Sequence, residues 1–145
     1  LHLDIKPGNI LITKNGSVKI IDYGISQGNS EQRGDKIMGS PMYMAPEQLN
    51  LKSILDRRTD IYALGILLHQ MMTASTPYAK NTTQKELFDN INNIPLDRIL
   101  DLYPGSDPRF QDIIDKATQK DPKDRFQSCD EFLIEIQALA DYEDN

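Results

Sequence analysis

The chain has a single cysteine, Cys129, and no tryptophan among its 145 residues. A lone thiol closes no intrachain disulfide and builds no thiolate metal cluster, so a reducing compartment, the cytoplasm, is expected. Long apolar runs are missing too. The longest near-continuous one, residues 61–68 with Gly65 inside it, falls far short of the roughly 18 residues that a membrane span needs. No membrane segment is expected. Cations are outnumbered, 16 Lys and Arg against 22 Asp and Glu, for a net charge of −6. With no basic block to grip phosphates, nucleic acid is excluded as a partner. Leu1 is not an initiator Met and no basic, apolar leader precedes it, which predicts a piece of a longer chain with no signal peptide. Without that signal, Asn15-Gly16-Ser17 and Asn81-Thr82-Thr83 are discounted as glycosylation acceptors.

What is present fits one soluble domain. Apolar residues make up 39% and charged residues 26%, which excludes a disordered tail and a fibrous repeat. A chain of this length buries roughly 68–70% of its unfolded surface. Two short apolar runs, Ile10-Leu11-Ile12 and Val18-Lys19-Ile20-Ile21, flank Asn15-Gly16 and predict a β-hairpin. Residues 22–42 carry no apolar period and predict a long loop. Thr59 or Asp60 is expected to cap a helix reaching Met72, apolar nearly all round and therefore central to the core. Thr83 with Glu86 predicts a capped short helix through Ile91. Asp107-Pro108 opens another, with Phe110, Ile113, Ile114 and Ala117 on one face. Ser128 with Glu131 makes a second capping box, before a stripe of Phe132, Leu133, Ile136, Leu139 and Ala140. The tail from Asp141 is expected to fray.

The informative polar residues lie in His2-Leu3-Asp4-Ile5-Lys6-Pro7-Gly8-Asn9, then in Asp22-Tyr23-Gly24, Ala45-Pro46-Glu47 and Asp121-Pro122-Lys123-Asp124-Arg125. Taken singly, each is an ordinary turn residue. Their order, with a hairpin between the first two segments and an apolar helix after the third, resembles the catalytic loop, metal-binding triplet and activation-segment end of a protein kinase. Lys6 resembles the serine/threonine class, and the strings around Asp4 and Lys120 are similar to bacterial eukaryotic-like kinases. The implied fold is α+β and mainly helical, a kinase-like carboxy-terminal lobe over residues 1–142, with 143–145 as a frayed tail.

The resemblance implies transfer of the γ-phosphoryl group of ATP to a Ser or Thr hydroxyl of a protein substrate. Mg2+, or Mn2+ in its place, prefers oxygen ligands, and Asn9 and Asp22 offer them. A hairpin turned at Asn15-Gly16 would bring those two together at its open end. Asp4 is positioned to orient the attacking hydroxyl and accept its proton, and Lys6 to offset charge on the nucleotide's moving phosphoryl group. Supporting positions carried over from the family are His2 (packed, not a base), Gly24, Ser40 (the substrate-side hydroxyl near Asp4 and Lys6), Asp60 (acceptor for catalytic-loop N–H groups) and the Glu47–Arg125 ion pair. His69 is expected to be a satisfied core histidine.

The chain departs from the family in three ways. Leu3 replaces the usual Arg, which removes a partner for a loop phosphate. Tyr23 replaces Phe, and between Asp22 and Glu47 the only hydroxyls are Ser26, Ser30, Ser40, Tyr23 and Tyr43. The eight glycines form no Gly-x-Gly-x-x-Gly, so the amino-terminal lobe of the same parent chain, with its Gly-rich loop, Lys and Glu, is expected to be missing, and the fragment alone to be inactive. A pseudokinase-like scaffold without catalysis is the alternative reading. A third is an unrelated metal-dependent phosphate enzyme, which a wide separation of Glu47 and Arg125 would favour.

Overall fold

The computed structural model describes residues 1–21, 40–78 and 83–140. Asp22, Tyr23, Gly24, Ser26, Ser30 and the tail from Asp141 lie outside the described residues. Within them the chain is α+β and mainly helical, one hairpin followed by five helices.

Strand β1, Ile10–Ile12, pairs antiparallel with β2, Val18–Ile20, with Ile10 opposite Ile20 and Ile12 opposite Val18. The connection is not a two-residue Asn-Gly turn. Gly16 N–H donates to the Thr13 carbonyl and Thr13 N–H to that of Ser17, each at 2.9 Å. Gly16 alone takes the left-handed conformation, with φ +82°, which is the signature of a three-residue loop closed by a glycine bulge. At the other end Ile21 N–H donates to the Asn9 carbonyl at 2.7 Å. The hairpin's two ends are thereby tied where the polar segments leave it.

Helix α1, Arg57–Thr73, begins earlier than expected. Its cap is Asp56, whose Oδ1 accepts from Arg58 N–H at 2.8 Å. Thr59 and Asp60 cannot serve, because their side-chain oxygens are engaged by partners elsewhere in the fold. Helix α2, Gln84–Asn93, carries the expected capping box: Glu86 N–H donates to Thr83 Oγ1 at 3.2 Å and Thr83 N–H to Glu86 Oε2 at 2.7 Å. One-turn helix α3, Ile99–Leu102, follows. Helix α4, Pro108–Ala117, is capped by Asp107 as expected. Helix α5, Cys129–Ala140, starts with Ser128 Oγ accepting from Glu131 N–H at 3.2 Å, but the Glu131 carboxylate reaches back to Gln127 N–H at 2.8 Å rather than to Ser128. Its expected stripe is narrower than read: Leu139 is buried and Phe132 and Ile136 half-buried, while Leu133 and Ala140 are exposed.

The core has two parts, and α1 belongs to both. Tyr62, Ala63 and Ile66 join Ile5, Tyr43, Ala45, Leu96, Ile99 and Ile114 on one side. Ile61 joins Ile113, Ala117, Phe126 and Leu139 on the other. Gly65 is what lets α4 come close: a Cβ there would stand 2.7 Å from Thr118 Cγ2 and 2.8 Å from Ala117 Cβ.

Candidate active site

The loop from His2 to Asn9 alternates between groups that anchor it and groups that face the site. Ile5 is buried in the core beneath it. Leu3 is held at φ +68°, a left-handed value that costs a non-glycine residue about 1–3 kcal/mol. Asp60, on the first turn of α1, offsets that cost by accepting from His2 N–H and Leu3 N–H, both at 2.7 Å. Gln48 Nε2 donates to the Leu3 carbonyl at 3.3 Å, and Gln48 Oε1 accepts from Ala45 N–H at 2.9 Å. Asp4 N–H donates to His2 Nδ1 at 3.2 Å, which leaves Nε2 to carry the ring proton and donate to the Ile21 carbonyl at 3.1 Å. With both ring nitrogens engaged, His2 orients the loop against the end of β2.

Asp4 is buried, and both its carboxylate oxygens are addressed. Ser40 N–H donates to Oδ1 at 3.1 Å. Asn9 Nδ2 donates to Oδ2 at 3.0 Å and to the Asp4 carbonyl at 2.7 Å. Because both partners are acceptors, the amide nitrogen must point at Asp4 and the Asn9 Oδ1 away from it. Lys6 Nζ stands 3.6 Å from Asp4 Oδ2 and donates to Ser40 Oγ at 2.6 Å. One carboxylate, one ammonium, one amide and one hydroxyl thus meet around Asp4. Asp22 and Gly24, expected beside them, lie outside the described residues. Among the described residues no three His, Cys, Asp or Glu side chains gather as a metal site.

The segment carrying Ser40 is fixed from below. It continues through two short 3-10 turns, Pro41–Tyr43 and Pro46–Leu49. Tyr43 Oη donates to Gln70 Oε1 at 2.7 Å, and burial pushes its phenol above the usual range. Glu47 meets Arg125 in a bidentate pair, Nη1 to Oε1 at 2.7 Å and Nη2 to Oε2 at 2.8 Å. Arg125 also donates Nε–H to the Gln119 carbonyl at 2.7 Å, Nη1 to that of Arg58 at 2.9 Å and Nη2 to that of Lys120 at 3.0 Å. All five of its N–H groups are used, as a fully buried guanidinium requires. Thr59 Oγ1 donates to Glu47 Oε1 at 2.9 Å. This close pair removes the ground for an unrelated phosphate enzyme.

Two engaged residues carry no expectation in the sequence: Gln48, for which adjacency to Glu47 is the available signal, and Gln70, for which there is none. Thr59, expected as a cap, bonds Glu47 instead. His69 is buried and its Nε2 lies 2.8 Å from the Asp97 carbonyl, but Nδ1 has no hydrogen-bond partner, so the histidine is satisfied on one side only.

The family model described as the protein kinase domain matches residues 1–135. The chain belongs to the protein kinase family. A probable serine/threonine-protein kinase of Streptomyces coelicolor is 32% identical over 97% of this chain and 21% of its own length. A probable serine/threonine-protein kinase of Clostridium perfringens is 34% identical over 96% of the chain and 20% of its own length. The serine/threonine-protein kinase PknB of Mycobacterium tuberculosis is 28% identical over 94% and 22%. The kinase chain therefore spans about a fifth of the length of these relatives, and its hairpin and five helices are those of a kinase carboxy-terminal lobe. Among the described residues no helix of this kinase lobe is long and apolar enough to cross a membrane.

Proposed function

We propose that this lobe is the catalytic half of a serine/threonine protein kinase, transferring the γ-phosphoryl group of ATP to a protein hydroxyl. The observation that carries the reading is the convergence of Asn9, Lys6 and Ser40 on the two oxygens of Asp4. A divalent cation bound with the nucleotide would neutralise charge that develops during transfer. The donor set suits such a cation. Asn9 spends its amide hydrogens on Asp4 and keeps Oδ1 as a hard oxygen ligand, and Asp22 is the second oxygen donor by sequence order.

Each remaining group has a task. Asp4, fixed by Ser40 N–H and Asn9, orients the incoming hydroxyl and takes up its proton as the new O–P bond forms. Lys6 offsets negative charge on the transferred group from a position already set by Ser40 Oγ. Asp60, His2 and Gln48 hold the loop in the strained form that aims Asp4, and Glu47 with Arg125 holds the ledge on which Ser40 sits. The single cysteine and the use of ATP support a cytoplasmic setting.

The test uses a polypeptide carrying this chain together with a nucleotide-binding lobe. Asp4→Asn keeps the shape and the contact with Ser40 N–H but removes the proton acceptor, so radiolabel transfer from ATP to protein is expected to fall by about 10²- to 10⁴-fold. Transfer at the unsubstituted rate would refute the assignment and leave the scaffold reading in its place.

A further inference from the structure

Lys120 lies between α4 and the Pro122–Asp124 turn that leads to Arg125. Its ammonium donates to the carbonyls of Ile91 and Ile94, both at 2.7 Å, and to Tyr78 Oη at 3.3 Å. It also stands 5.5 Å from the centroid of the Tyr78 ring. Ile91 and Ile94 are at the carboxy-terminal end of α2, where carbonyls lack partners within the helix and carry partial negative charge. A cation there answers both needs. Burial and the neighbouring Arg125 pull the amine down to about 8, so it remains mostly protonated at pH 7.

The backbone of the same residue faces the other way. Its carbonyl accepts from Arg125 Nη2 at 3.0 Å, and Arg125 holds Glu47. Lys120 is therefore a strut with two ends, the side chain on α2 and the carbonyl on the buried ion pair. Both lines run to one place. Glu47 belongs to the Pro46–Leu49 turn, and α2 packs against that turn and against Pro41–Tyr43. Those turns continue from Ser40, the residue that touches Asp4 and Lys6. Of the ten residues of α2 only Leu87 and Ile91 are buried.

We propose that Lys120 is a positioning residue for the protein substrate: it fixes the end of α2 against the turns beside Asp4, so the surface that receives a protein is set before it binds. This rests on the kinase reading above. Preorganising a receiving surface lowers the ordering cost of association, which appears in KM for the partner that uses that surface.

Lys120→Met keeps the aliphatic stem and the backbone carbonyl while removing every side-chain donor, so the Arg125 end of the strut survives. In a polypeptide carrying this chain with a nucleotide-binding lobe, KM for a folded protein substrate is expected to rise about fivefold, the worth of one net hydrogen bond. The same variant should leave kcat and KM for ATP within about twofold, which separates binding from chemistry. Amide hydrogen exchange in α2 should quicken, with that of α1 unchanged. Lys120→Arg, which keeps a cation and its donors, should restore both readouts. Faster exchange in α2 with an unchanged protein KM would reduce Lys120 to a merely structural role and overturn the proposal. Unchanged exchange would overturn it as well, by showing that α2 does not depend on the strut. If Lys120→Met does not fold, Lys120→Gln, which can still donate to one carbonyl, is read by the same two measurements. Absence of phosphate transfer by the unsubstituted polypeptide would sink the kinase reading itself and the proposal with it, and is told apart because it precedes any substitution.

Discussion

Leu3 sits where a branched side chain is least at ease, at φ +68°, and stays there because its neighbours allow no alternative. Asp60 takes both N–H groups of the strained step, and Gln48 takes the Leu3 carbonyl. Strain maintained in this way is a means of aiming a side chain, here Asp4, the next residue along. Asp60→Asn replaces one of the two acceptor atoms by an NH2 group that faces a backbone N–H. One donor is then unpaired, and the expected loss of stability is about 1–3 kcal/mol. The larger effect should be on turnover. With the loop free to relax, kcat is expected to fall about 10²-fold, since small misplacements of an oriented group have costs of that order. Steady-state kinetics and denaturant midpoints on the same preparation check both. A kcat that survives while the midpoint falls would show that Asp60 supports the fold but does not aim Asp4.

Among the elements, those written in local chemistry were legible and those written in long-range contacts were not. Helices α2 and α4 announced themselves through Thr83 with Glu86 and Asp107 with Pro108, because a cap is satisfied within a few residues of itself. The start of α1 was misplaced for the complementary reason. Thr59 and Asp60 have the chemistry of caps, but Glu47 and the backbone of His2 and Leu3 claim their oxygens, and the cap falls to Asp56. Leu133 reads as part of the α5 stripe, yet it is half exposed, since period alone does not fix how wide a face is covered. At the site, Asp4 and Asn9 share one loop and were legible as a pair. Gln48 and Lys120 bond backbone carbonyls, which leave no trace in sequence.

Gly65 shows the same limit and carries a prediction. In the interior of a helix a glycine costs about 1 kcal/mol relative to alanine, so propensity alone makes Gly65→Ala stabilising. The added methyl, however, would lie under 3 Å from both Thr118 Cγ2 and Ala117 Cβ, the latter on the rigid body of α4. Overpacking of that kind costs about 1–3 kcal/mol. The two terms leave a net loss of up to about 2 kcal/mol, read as a lower denaturant midpoint. A raised midpoint would mean that α1 and α4 can separate at no expense.

For the molecule as a whole, the groups that titrate define a window of stability closed at both ends. On the acid side, the arginines two residues beyond hold the carboxyls of Asp56 and Asp107 below the usual range, and the Thr83 backbone and hydroxyl do the same for Glu86. A lowered folded pKa contributes stability that is complete above the ordinary carboxylate range and is lost as pH falls through it, so the midpoint should drop below about pH 4. On the alkaline side the sign comes from tyrosine. Burial raises Tyr62, on α1, and its neighbour Tyr78 well above the usual phenol value, and raises Tyr43 as well. Above pH 10 the unfolded chain releases these protons while the folded one keeps them, and stability falls by at most about 1.4 kcal/mol per pH unit for each ring. Lys120 works the other way: with its folded amine pulled down to about 8, the folded chain releases a proton that the unfolded chain keeps up to about pH 10. Denaturant midpoints measured from pH 3 to 11 should therefore fall below about pH 4, rise between about pH 8 and 10, and fall again above that. Tyr78→Phe removes one of the three raised phenols, so the alkaline fall should become shallower while the acid limb is unchanged. An alkaline limb as steep as before would assign that fall to some other group, and would mean that the rings against α1 are open to hydroxide.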